Sequence, residues 1–141
     1  MSTLSFAAGA LKAVHAHALQ GYPHEVVGIL AGKNGEVTAI KALINERADS
    51  AHNRYRVSGL TVMRAEQALE AAGHTILGYY HSHPDHPARY SDYDRDHALP
   101  NLSYVIVSVD NGEIADTLSW RLRDDRSAMD PETLNLNGAA S

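Results

Sequence analysis

His81 and His83 stand two residues apart at the end of the apolar run Thr75-Ile76-Leu77-Gly78-Tyr79-Tyr80. If that run is a β-strand, its period of two puts both imidazoles on one face, with Cα atoms roughly 6–7 Å apart. Two rings so placed can converge on one metal ion at about 2.0–2.1 Å. A third ligand has to come from elsewhere, and the 141-residue chain contains no cysteine, so it must offer nitrogen or oxygen. Asp94 lies eleven residues beyond His83, after a loop containing Pro84 and Pro87 that can fold its carboxylate back over the strand end. Three protein ligands leave the fourth tetrahedral position open for water, the pattern of a catalytic rather than a structural zinc site.

Two more residues complete a chemical set. Ser91 and Asp94 are three apart at the start of a short helical segment, so they are neighbours on one helix face. A metal held by Asp94 would bring the Ser91 hydroxyl within reach of whatever the metal binds, where an oxyanion donor belongs. Zinc lowers the pKa of a bound water to about 7, and the chemistry then needs a carboxylate that accepts a proton and later delivers it to a leaving amine. Glu25, at the entry to the apolar run Val26-Val27-Gly28-Ile29-Leu30-Ala31-Gly32, is the candidate.

The elements that must position these groups follow from the pattern. Leu4, Ala8, Leu11, Val14 and Ala18 recur at helical spacing before Gly21 and Pro23, which predicts an amphipathic helix over residues 5–20. Residues 25–32 and 36–44 read as a hairpin around Lys33-Asn34-Gly35. A polar loop is expected over residues 45–53. After it, Ser58 offers an N-cap to a helix that closes at Gly73. The run ending in the histidines is apolar on both alternations, as a central strand is. Residues 102–109 form a further buried strand, and Asp110-Asn111-Gly112 turns the chain into what reads as the last strand, over residues 115–123. The order is that of a mixed α/β fold, a central sheet with packed helices. Residues 124–141 lack an apolar period, so one domain over residues 1–123 followed by a flexible tail is expected.

Composition removes several function classes. The net charge of -5 offers no basic stripe for nucleic acid. No run approaches the roughly 20 apolar residues of a membrane helix, and Lys12, His15 and His17 interrupt the amino-terminal segment, unlike a signal peptide. The cytoplasm is the expected compartment.

The segment His81-Ser82-His83-Pro84, the residues to Tyr90, and Ser91-Asp92-Tyr93-Asp94 resemble the JAMM (Mov34/MPN) zinc metallopeptidase signature: His-x-His, seven residues, Ser-x-x-Asp, with Glu25 heading a strand upstream. By order of elements the resemblance runs from Leu4 to about Arg123 and is to the short, single-domain bacterial type. It implies an MPN/JAB1, cytidine-deaminase-like architecture. One zinc would be held by His81, His83 and Asp94, with Glu25 as general base and acid and Ser91 as oxyanion stabiliser. The implied substrate is an amide bond after the Gly-Gly end of a ubiquitin-like or sulfur-carrier protein. Two departures stand out: Tyr90 replaces a proline that commonly precedes the motif serine, which predicts a looser loop, and Val26-Val27 replace a frequent cysteine-containing pair.

Blander readings compete for each residue. Ser-x-x-Asp at a helix start is nearly a capping box, and Ser91 can serve both roles. A lone Glu at a strand end is commonly solvated, so Glu25 rests mainly on the family pattern. Asp85, His86, Asp92 and Asp96 crowd the region outside the motif and are given no chemical role. His15, His17, His24, His52, His74 and His97 read as ordinary surface or helix residues. A non-catalytic MPN scaffold is the main alternative; a deaminase lacks its Pro-Cys-x-x-Cys element here. The sequence leaves both a monomer and a homodimer open.

Overall fold

Alternating and continuous apolar runs build most of the sheet, and two helices of 12 and 13 residues and a third of 6 accompany it among the described residues. The computed structural model describes residues 2–45 and 58–136. In chain order the elements are β1 (Thr3–Phe6), α1 (Ala10–Gly21), β2 (Val27–Lys33), β3 (Glu36–Leu43), α2 (Gly59–Ala71), β4 (Thr75–Pro84), α3 (Asp92–His97), β5 (Ser103–Asp110), β6 (Glu113–Leu122) and β7 (Met129–Leu136). The strands neighbour one another in the order β1-β3-β2-β4-β5-β6-β7, and β1 closes the ring by pairing in parallel with both β3 and β7. The β4–β5 pair is also parallel, while β2–β3, β2–β4, β5–β6 and β6–β7 are antiparallel. A parallel pair cannot be joined by a tight turn, so the chain between β4 and β5 must travel, and that crossover carries α3.

The two faces of the sheet do different work. Leu30, Val37, Tyr80, Val105, Val107 and Val109 pack with α1 residues Leu11, Val14 and Ala18 in the main core. Gly28 is required there, since a Cβ would lie 2.2 Å from the Tyr80 ring. Side chains of the opposite parity form two separate patches on the other face. Val27, Ile29 and Leu43 meet Val62, Ala65 and Leu69 of α2. Ile106, Trp120, Leu122 and Met129 lie beneath Ala88, Tyr90 and Ala98 of the crossover. His81 and His83 share the parity of Tyr79 on β4 and so emerge on this second face, between the two patches.

Two expectations need correction. The first helix begins at Ala10, not residue 5, because Leu4 and Phe6 alternate into the sheet as β1 and Gly9 breaks the chain with φ +87°. Residues 129–136 are a strand rather than a tail, so β6 is not the last strand. Burial of a carboxylate marks the reason: Glu132 of β7 is 7% exposed and accepts from Ser119 Oγ at 2.8 Å and Ser2 Oγ at 2.9 Å, with Arg121 at 3.4 Å. A polar cluster and backbone pairing to β6 and β1 hold the strand, and neither leaves an apolar period in the sequence. The loop expected over residues 45–53 lies, beyond Asn45, outside the described residues. Among the described residues no helix is long and apolar enough to cross a membrane.

Candidate active site

Because β4 is in the middle of the sheet, its register fixes both histidines before any loop contributes. His81 pairs with Val27 on β2 and Ile106 on β5, and His83 pairs with Ser108. Their Nε2 atoms lie 3.2 Å apart. Asp94 Oδ1 is 3.3 Å from His81 Nε2, and Asp94 Oδ2 is 3.5 Å from His83 Nε2. A tetrahedron with bonds of about 2.05 Å has edges of about 3.3 Å; the two imidazoles are at that spacing, and the carboxylate approaches each through a different oxygen, so all three side chains converge on one small volume. Among the described residues this is the one group of three such side chains whose donor atoms converge.

The protonation states fit the same reading. His83 Nδ1 is 2.8 Å from the Pro87 carbonyl, which can only accept, so Nδ1 carries a hydrogen and Nε2 is the ring nitrogen that faces His81 and Asp94. Burial works to lower the His83 pKa, but hydrogen bonds to Asp94 and the Pro87 carbonyl raise it on balance. Burial likewise works to raise that of Asp94, yet hydrogen bonds from His81 and His83 and from the Ser91 N–H hold it far below the ordinary carboxylate range. Two imidazole nitrogens and a carboxylate are a donor set for a borderline ion such as zinc.

Ser91 and Asp94 come from the crossover. Ser91 caps α3: its Oγ accepts from Asp94 N at 3.1 Å, and its own N–H donates to Asp94 Oδ2 at 2.8 Å. The capping box read from the Ser-x-x-Asp spacing is therefore present. The capping box fixes the carboxylate that faces the histidines, and it uses the Ser91 hydroxyl as an acceptor, leaving its hydrogen free to donate.

The loop that carries the cap is held by three successive carbonyls. Ser108 Oγ donates to His86 O at 2.5 Å, His83 Nδ1 to Pro87 O at 2.8 Å, and Trp120 Nε1 to Ala88 O at 3.0 Å. Three different strands thus grip consecutive residues. Asp85 anchors the loop start, accepting from Tyr22 Oη and from the Asn111 N–H, each at 2.8 Å. Tyr90 does not loosen the loop as its replacement of proline predicted. Its ring packs edge-on against Trp120 with centroids 5.0 Å apart.

Glu25 sits two residues before β2 begins, 7% exposed. Continuing the antiparallel register of Val27 with His81 places Glu25 beside His83 on the same sheet face. It lines a cavity of about 540 Å³ with His83, Ser91 and Asp94, the rim carrying His86 and Arg89. His24 is exposed and faces no part of the cavity wall. His15 and His17 bond Thr117 and Tyr80, His97 stacks on Tyr93, and His52 lies outside the described residues. Sequence reasoning did not single out Ser82, Ser108 or Trp120. A polar residue inside an otherwise apolar strand was the available signal for the two serines.

A mixed sheet closed through its first strand, with a two-histidine, one-carboxylate cluster between a central strand and a capped crossover helix, defines an α/β domain whose site could hold a metal ion. The family model for prokaryotic homologues of the JAB domain matches residues 7–123, and the chain belongs to that family. The chain is 37% identical over 102 residues to a probable TtuB-protein conjugate cleaving protease of Thermus thermophilus, covering 72% of this chain and 68% of that protein. It is 35% identical over 116 residues to a desampylase of Haloferax volcanii, covering 77% and 83% respectively. A JAB1/MPN domain protein from Archaeoglobus fulgidus superposes with a TM-score of 0.63 at 18% identity, over 94% of this chain and 98% of that one, a likeness of fold.

Proposed function

We propose that this chain is a zinc-dependent metallopeptidase that hydrolyses the amide bond at the C-terminal Gly-Gly end of a ubiquitin-like, sulfur-carrier type protein. The observation that carries this reading is the convergence of His81, His83 and Asp94, with contacts of 3.2–3.5 Å among them, beside the cavity that His83, Asp94, Glu25 and Ser91 line. His81, His83 and Asp94 are the metal ligands. When bound there, zinc supplies Lewis acidity toward a carbonyl and makes water acidic enough to ionise near pH 7.

The chain's own groups do the rest. Glu25, shielded from bulk solvent beside His83, takes the proton from the attacking water and passes it to the nitrogen of the leaving amine. Ser91 donates its free hydroxyl hydrogen to the oxygen that gains charge as the carbonyl becomes tetrahedral. The cap bond from Asp94 N keeps that oxygen atom in place, so the donor is oriented before substrate arrives. All five groups come from one chain, so a single copy is a complete unit whether or not it forms a homodimer.

The substrate class is supported by two relatives above 30% identity, one named a probable TtuB-protein conjugate cleaving protease and the other a desampylase. The cytoplasmic location expected from the sequence goes with that class and forms part of the proposal. The test is metal content by mass spectrometry, paired with hydrolysis of a peptide that ends in Gly-Gly and is joined through an amide to a fluorescent amine. Wild type should carry near one zinc per chain and cleave the reporter, and the His81→Ala, His83→Ala double variant should do neither. A folded wild type without metal or turnover would favour a binding scaffold instead.

A further inference from the structure

The Glu25 carboxylate can serve only if the backbone that carries it is fixed, yet Glu25 lies outside the regular ladder, which starts at Val27. Continuing the register of β2 with its two neighbours places Glu25 level with His83 on β4 and with Asn45 just past β3. The peptide unit joining Glu25 to Val26 has one acceptor and one donor, and each meets a side chain. Asn45 Nδ2 donates to Glu25 O at 2.9 Å, and Val26 N donates to Ser82 Oγ at 2.9 Å. In a regular antiparallel pair Val26 N would meet the carbonyl of the residue opposite. Here the ladder keeps its other half, Ser82 N to Val26 O at 3.1 Å, while the hydroxyl stands in for the carbonyl.

We propose that Asn45 and Ser82 are positioning residues that clamp the Glu25–Val26 peptide plane at its two ends and thereby aim the Glu25 carboxylate. Gripping both ends of one plane restricts ψ of Glu25 and φ of Val26, the two soft dihedrals that set where the Glu25 side chain leaves the backbone. The two residues come from opposite flanks of β2, so the plane cannot tilt toward either neighbour without breaking a bond. Ser82 is 1% exposed and sits between the two metal-binding histidines, which ties the position of the proton carrier to the strand that fixes the metal. Neither Asn45 nor Ser82 borders the substrate cavity, so both act through Glu25 and not on substrate.

This inference rests on the proposed role of Glu25, and the experiment separates the two. Steady-state hydrolysis of the Gly-Gly amide reporter by the zinc-loaded enzyme is compared for wild type, Glu25→Ala, Asn45→Asp, Ser82→Ala and Ser82→Thr, with zinc content measured on each. Displacing a reacting group by about 1 Å can cost about 100-fold in rate. Asn45→Asp, which keeps the shape but removes the donor, should therefore lower kcat by about 10- to 100-fold with KM and zinc unchanged. Ser82→Ala should do the same, and Ser82→Thr, which restores the hydroxyl, should recover most of it. Asn45 lies near the surface, so its variant reports even if the buried Ser82→Ala protein fails to fold. Full turnover in Glu25→Ala would overturn the proposed mechanism itself. An inactive Glu25→Ala alongside a fully active Asn45→Asp would overturn only the clamp, as would an Asn45→Asp whose loss lies in KM or in zinc.

Discussion

The site has two walls made in different ways. One is strand: His81 and His83 are set by a register running through β2, β4 and β5, and the backbone beside them has little freedom left. The other is a crossover loop, and what fixes it is side chains reaching from β4, β5 and β6 to three consecutive carbonyls, closed by the Ser91–Asp94 capping box. The strand wall depends on many backbone bonds shared among neighbours, so no single side chain determines its shape. The loop wall depends on a few separate bonds, so its failures should be graded and assignable to single residues. The first wall carries two of the three converging side chains, His81 and His83, and the second carries Asp94 together with Ser91.

The sharpest way to break that contrast is Glu25→Ala, on the strand side. It should keep zinc, because Glu25 is not a ligand, and lower turnover of the Gly-Gly amide reporter by about 10³-fold or more. Comparable rates for wild type and variant would show that the proton is carried by another group and that the strand wall holds metal alone. On the loop side, Ser91→Ala removes both an oxyanion donor and a helix cap. The rate should fall by about 10²–10³-fold, and stability by about 1 kcal/mol through the lost cap. Ser91→Asp keeps an acceptor suited to the cap position but, ionised, has no hydrogen to donate, so it should regain the stability and not the rate. If it regains both, capping alone explains the serine.

How much of this was legible beforehand follows the same division. His81 and His83 could be read because a strand's period acts on adjacent residues, and Ser91 and Asp94 because a helix start has its own local spacing. What no local pattern could announce was long-range. Ser108 and Trp120 reach the loop from 22 and 32 residues away in sequence, and Ser82 looks like a mere spacer between two ligands until its hydroxyl is seen on Val26. β1 was absorbed into a predicted helix because Leu4 fits the helical spacing of Ala8 and Leu11, while its true partners, β3 and β7, are remote in sequence. β7 carries no strand signal of its own, because Pro131 and a buried Glu132 replace the apolar alternation. Tyr90 misled for a related reason: loss of a proline suggests slack, and only the tertiary contact with Trp120 supplies the substitute.

Trp120→Phe tests the loop wall one bond at a time. It keeps a ring against Tyr90 but removes the Nε1 donor, leaving the carbonyl of buried Ala88 without that bond. Leaving such a group unsatisfied costs about 1–3 kcal/mol, readable as a lower urea midpoint at unchanged slope. Turnover should fall by less than in Ser91→Ala, since the His86 and Pro87 carbonyls stay held. A loss of activity as large as that of Ser91→Ala would mean that the loop is positioned by one anchor and not by three.

The smallest expected effect concerns protons on the metal cluster, where the two walls meet. In the metal-free protein His83 has a pKa raised above its ordinary 6.5. Its contribution to stability is therefore present below pH 6.5 and is lost as pH rises through the folded value. Asp94, lowered from its ordinary 3.8, contributes stability above pH 3.8 that is lost as pH falls through its folded value. Together they favour the metal-free fold between those two limits. Zinc requires neutral imidazoles, so the loaded protein should instead gain stability as pH rises and protons leave His83. His15 and His17, both lowered by burial, push the two forms in the same direction, and the difference between the forms isolates the cluster. Thermal midpoints from about pH 6 to about pH 8, with chelator and with zinc, should diverge as pH rises. Parallel curves would mean that the proton and the ion do not compete for the same three side chains.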